Sequence, residues 1–234
     1  MIRVSRLNLG LGAVLLGLAA AAWLVLVLQR PGMEMAMDIS VPLYLATWVT
    51  MLVAMMLPAT APLAIVYGRM VRAGGGGRLA ALPFSAGYLL LWTAVGILPL
   101  AGFIWSRGLV AGMTASRLGP LALSGVLVVA GLYQLSPWKG ACLRACRSPV
   151  AFVMSHDFDG GAVGGFLAGL AHGAFCLGCC WALMVILTVA GLMSLPWMAA
   201  LAVLILAEKN WRHGLGLARV AGVTMVVGAI LVAL

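Results

Sequence analysis

The stretch His172-Gly-Ala-Phe-Cys176-Leu-Gly-Cys179-Cys180 gathers one of three histidines and three of five cysteines within nine residues. Imidazole and thiolate form a soft donor set that suits Cu(I) or Zn(II), and a haem or iron–sulfur cluster less directly. Side chains on a helix turn by about 100° per residue. His172, Cys176 and Cys179 therefore share one face, with Cys180 at its edge. The flanking sequence is apolar, and ionisable, metal-competent side chains inside a membrane segment mark a functional site by default. One such residue alone would serve equally well as packing; four on one face favour a metal. The C-x-x-C formed by Cys176 and Cys179 can clamp an ion from a single helix, although the same spacing serves dithiol redox chemistry.

Further soft donors lie elsewhere. Cys142 and Cys146 are four residues apart between Pro137 and Pro149, which delimit a short helix at the inner membrane surface with both thiols on one side. A structural disulfide is not expected in a reducing cytoplasm. Arg144 and Arg147 are expected to lower the thiol pKa and favour thiolate. His156, Asp157 and Asp159 follow, and read as a solvated turn rather than hard ligands. The segment Pro31-Gly-Met33-Glu-Met35-Ala-Met37-Asp38 alternates thioethers with acids, a pattern suited to collecting Cu(I) from an exposed loop. Met51, Met55 and Met56 precede Pro58, which frees a backbone carbonyl near the same depth. Buried methionine is also a common gap-filler.

These residues must be positioned by membrane helices. Of 234 residues, 65% are hydrophobic and 8% charged, against about 25% charged in soluble domains. The expected fold is all-α, a polytopic transmembrane bundle forming a single domain over 1–234. Seven spans are predicted: Leu9–Leu28, Pro42–Tyr67, Leu79–Trp105, Gly119–Leu135, Gly161–Met193, Pro196–Ala207 and Leu215–Leu234. The first is too long for a signal h-region and reads as a retained span. Ser194 and Pro196 open the sixth, which is shorter than the roughly 20 residues a perpendicular helix needs. Either Glu208 and Lys209 lie within the bundle, or the fifth and sixth segments form a hairpin that does not fully span; six spans with a cytoplasmic C-terminus is the alternative.

With a cytoplasmic N-terminus, eleven basic residues fall inside and Arg30, Arg107 and Arg117 outside, as the positive-inside rule requires. The net charge of +9 is thus a topology signal with some attraction to anionic lipid, and no nucleic-acid partner is expected. Gly161, Gly165, Gly169 and Gly173 form a small-residue ridge of the kind that lets helices approach closely. The row Gly164, Ala168, His172, Cys176, Cys180 runs beside it, so the metal-competent side chains face the protein interior. His172 sits about ten residues, roughly 15 Å, from the cytoplasmic end of its span.

Three segments together resemble a bacterial family described only as predicted metal-binding integral membrane proteins, domain of unknown function 2182. They are Met51-x-x-Ala54-Met55-Met56-Leu57-Pro58-Ala59, then Tyr133-Gln134-Leu135-Ser136-Pro137-x-Lys139-x-x-Cys142-Leu-x-x-Cys146-Arg147-x-Pro149, and finally His172-Gly173-x-x-Cys176-x-Gly178-Cys179-Cys180-Trp181-x-Leu183-Met184. Trp197-Met198 and Glu208-Lys209 extend the likeness, which covers about residues 40–210. The resemblance implies a bacterial inner-membrane protein that binds a metal. It groups Cys142 and Cys146 with the later cluster, and adds Glu208 and Lys209 as candidates. A Glu208 pairing with Arg212 at the interface is an equal reading of that charged pair.

The expected function is acquiring, holding or passing soft metal ions, copper before zinc, with the bilayer and a membrane or periplasmic metal-handling protein as partners. The alternatives are a cysteine-based redox or assembly factor, and a subunit of a larger membrane complex with a structural metal site. No P-loop or Cys-Pro-Cys motif supports a primary pump within this chain. No hydrolase or kinase constellation stands out, so a non-enzymatic role is expected.

Overall fold

The computed structural model describes residues 6–35, 40–73, 81–110, 115–154, 161–191 and 194–233. Among them the chain is all-α: α1 (Arg6–Met35), α2 (Val41–Ala73), α3 (Ala81–Val95), α4 (Ile97–Val110), α5 (Ala115–Leu135), α6 (Pro137–Arg147), α7 (Pro149–Met154), α8 (Gly161–Gly191), α9 (Leu195–Asn210) and α10 (Gly214–Ala233). Five stretches among the described residues are long and apolar enough to cross a membrane: Gly10–Gln29, Val41–Ala73, Ala81–Gly102, Gly161–Thr188 and Gly214–Ala233. The expected fourth and sixth spans are also helical, as α5 and α9. The described side chains of α5 form an apolar stretch over Leu123–Leu135. The 16 residues of α9 reach about 24 Å at 1.5 Å per residue, below the roughly 30 Å of a hydrocarbon core.

Two local expectations are corrected. The outer loop was expected to begin at Gln29, but α1 continues through Pro31 to Met35. The side chains of Met33 and Met35, and all of Met37, lie outside the described residues, as do His156, Asp157 and Asp159. The long connection after α5 contains two proline-started helices rather than one, because Pro149 opens α7 as Pro137 opens α6.

The helices pack as two compact units, Met1–Thr93 with Ala145–Phe175, and Ala94–Arg144 with Cys176–Leu234. In the first, α3 and the N-terminal half of α8 touch backbone to backbone. A Cβ on Gly169 would lie 2.0 Å from the Phe84 carbonyl oxygen, and one on Gly87 would lie 2.1 Å from that of Phe166. The glycine row is thus a helix–helix contact at Gly165, Gly169 and Gly173, as its spacing predicts, whereas Gly161 has no neighbour within 4 Å of its Cβ position. Prolines at 58 and 62 remove backbone donors from α2. The carbonyl of Ala54, left without its helical donor by Pro58, instead accepts a hydrogen bond from Trp23 Nε1 of α1 at 3.1 Å. At the break around Gly96 the Trp92 carbonyl accepts from Trp48 Nε1 at 3.0 Å. Leu57, Leu63, Tyr67, Phe84 and Phe152 fill the core of this unit.

In the second unit α5 and α10 meet at facing glycines: a Cβ on Gly131 would lie 2.7 Å from the Gly222 carbonyl oxygen. Ser124 Oγ donates to the Ala229 carbonyl at 2.8 Å and ties the far ends of the same pair.

Candidate metal centre

The C-terminal half of α8 belongs to the second unit and carries the thiols inward. Cys176, Cys179 and Cys180 are each no more than 1% exposed, and their sulfurs all lie within 4.8 Å of one another. Cys179 and Cys180 donate their S–H groups to the Cys176 carbonyl at 3.1 and 2.9 Å. The sulfurs of Cys176 and Cys180 are 3.9 Å apart. The i, i+3, i+4 spacing on an unbroken helix therefore produces a compact triangle of soft donors. Three thiols suit a low-coordinate Cu(I) ion better than Zn(II), which takes four ligands.

Lys209 of α9 donates to Cys176 Sγ at 2.8 Å, so an ammonium faces the thiol triangle. Its neighbour Glu208 is 1% exposed, as is Lys139 of α6. Lys139 Nζ lies 2.6 Å from Glu208 Oε2, and Gln134 Nε2 donates to Glu208 Oε1 at 2.7 Å. A charge buried this deeply persists only when paired and hydrogen-bonded. Glu208 thus uses both oxygens on a lysine and an amide from α6 and α5. The charged pair at 208–209 lies in the interior, the first of the two placements open from sequence.

Cys142 approaches the same turn of α8 because residue 178 has no side chain. A Cβ at Gly178 would lie 2.6 Å from Cys142 Sγ. Tyr133 Oη donates to the Gly178 carbonyl and its ring meets Trp181 edge-on at 4.9 Å between centroids. Cys142 is half-buried. The expectation that Arg144 and Arg147 lower its pKa is not met. Burial pushes the Cys142 thiol up, and the charge of nearby Cys179 pushes the same way, against a backbone hydrogen bond and Lys139. Arg144 is exposed, where its field is screened.

His172, one turn before Cys176 on α8, lies in the first unit among aromatic rings. It stacks on Phe84 and Tyr88 with centroids 5.9 and 5.8 Å away, and meets Phe152 edge-on at 5.3 Å. Met51, Met55 and Met56 are all buried in the first unit, and Cys146 is half-buried on α6. Sequence reasoning missed the roles of Gln134 and Lys139, and named Lys209 as a candidate without its thiol partner. The available signal was a glutamine and a lysine just before Cys142 in a chain with very few polar residues.

Fold and site together define an all-helical protein with membrane-length helices and a buried cysteine cluster suited to a soft metal. The chain belongs to the family described as "PpoB2: Copper chaperone", whose model it matches over residues 45–232. The description agrees with the metal-handling family that the motifs led us to expect. No curated protein matches the chain, and no solved structure does.

Proposed function

We propose that the protein is an integral copper-handling protein of the bacterial cytoplasmic membrane, which holds Cu(I) as cargo and passes it to a partner. The observation that carries this reading is the triangle of three buried thiols within 4.8 Å of one another. The family description, copper chaperone, supports the choice of metal. Support for the bilayer comes from the large apolar side chains exposed along α1 and α10, such as Leu16, Leu24, Leu28, Val220, Val227 and Leu231; patches of that extent are unusual on a soluble monomer.

Binding replaces S–H protons with S–Cu bonds, and Lys209 offsets the negative charge that accumulates on the thiolates. Cys142 is the exchange thiol. As an S–Cu bond to Cys142 forms, one bond within the triangle breaks, and the Cys142 proton passes to the released thiolate. Copper remains Cu(I) throughout. Met51 and Met55, one turn apart on α2, form a second soft-donor pair that cargo visits. The N-terminus is cytoplasmic, following the bias of basic residues.

The test is copper retention. Purified full-length protein loaded with Cu(I) under reductant and then desalted is expected to keep about one copper per chain, as a single trithiol site predicts. Cys176→Ser combined with Cys180→Ser is expected to keep far less. Wild type that retains no copper, or a double variant that retains as much as wild type, overturns the reading.

A further inference from the structure

A cavity of about 290 Å³ opens between the end of α5, α6 and the start of α10, lined by Gln134, Ser136, Lys139, Arg144 and Arg219 among others. All belong to the second unit. The floor is buried: Gln134 is 2% exposed and Lys139 1%. The rim is open, with Arg144 and Arg219 both exposed. Glu208 is the one carboxylate among the described side chains, and Lys139 and Gln134 already hold it on the inner side. The two arginines therefore have no acidic partner among the described residues, and the cavity mouth carries a surplus of positive charge. In the floor, Gln134 Oε1 is buried with no hydrogen-bond partner. Leaving a buried acceptor unsatisfied is costly, so the cavity is incomplete without a donor reaching that oxygen.

Both requirements describe one ligand. A phosphodiester fits two guanidinium forks at the rim, since arginine binds phosphate in a bidentate manner. A hydroxyl on the same headgroup would donate to the Gln134 oxygen below. From this geometry we propose that the cavity binds the headgroup of an anionic phospholipid carrying hydroxyl donors, a phosphoglycerol, with its phosphate between Arg144 and Arg219. The site lies where α5 gives way to α6, on the side that the distribution of basic residues assigns to the cytoplasm, where basic pockets meet anionic lipid. This inference rests on the reading of the chain as membrane-embedded and is independent of the copper chemistry.

The experiment is native mass spectrometry of the delipidated full-length protein in detergent, titrated with phosphatidylglycerol, phosphatidylcholine or inorganic phosphate. Phosphatidylglycerol is expected to bind about tenfold more tightly than phosphatidylcholine, and Arg144→Ala with Arg219→Ala to erase that preference. Arg144→Lys with Arg219→Lys keeps the charge and is expected to retain most of it, which separates loss of the ligand from loss of the fold. Equal binding of the two lipids, or an undiminished preference in the alanine variant, overturns the proposal. So does displacement of the lipid by millimolar inorganic phosphate, which assigns the cavity to a free anion. A chain that fractionates away from membranes overturns the membrane reading itself, a failure distinct from loss of lipid selectivity.

Discussion

Glu208 is held in the interior by Lys139 and Gln134, and removing one partner strands the other. Lys139→Met is expected to destabilise the protein by about 3–5 kcal/mol, the usual cost of an uncompensated buried charge. Lys139→Met with Glu208→Leu removes both charges and is expected to recover most of that loss. Thermal unfolding in detergent measures both; a double variant as unstable as the single one would contradict the pairing. The thiol triangle was legible from spacing alone, because i, i+3 and i+4 positions on a helix converge whatever the tertiary structure. The Lys139–Glu208 pair was not. Its members lie 69 residues apart, and no local pattern shows which basic residue reaches Glu208.

At the level of helices, the glycines divide by what a methyl group would meet. Gly87→Ala and Gly169→Ala would each drive a Cβ into a carbonyl oxygen across the α3–α8 contact, and each is expected to cost about 1–3 kcal/mol or more. At Gly125 a Cβ has nothing within 4 Å, so Gly125→Ala is expected to be neutral or stabilising by up to about 1 kcal/mol. The contrast is read from melting temperatures of the three variants. The bond between Trp23 and the Ala54 carbonyl invites a cycle: Trp23→Phe should cost about 1 kcal/mol, and less once Pro58→Ala restores the helical donor. Equal losses in the two backgrounds would sever the link drawn between Pro58 and Trp23. The four-residue repeat announced a close contact but not its partner, and Pro58 announced a freed carbonyl but not the indole that takes it. Periodicity reports which face of a helix is used, and only packing reports against what.

For the molecule as a whole, helix length and hydropathy made the all-α architecture legible, while the number of crossings depended on helices too short for composition to decide. Sixteen-residue α9 is the case in point, because its last turn spends two positions on Glu208 and Lys209. The topology proposed here makes Cys142 reactive from the cytoplasm: a membrane-impermeant maleimide is expected to label it in inverted vesicles and not in right-side-out ones. The opposite pattern would reverse the orientation. Gly178 then acquires a meaning beyond packing. Its missing methyl is the space in which Cys142 Sγ sits, so Gly178→Ala pushes that sulfur away and leaves the three thiols of the triangle in place. Such a chain should fill with copper as readily as wild type and surrender it to a hydrophilic chelator more slowly. One carbon atom would then separate a carrier from a sink.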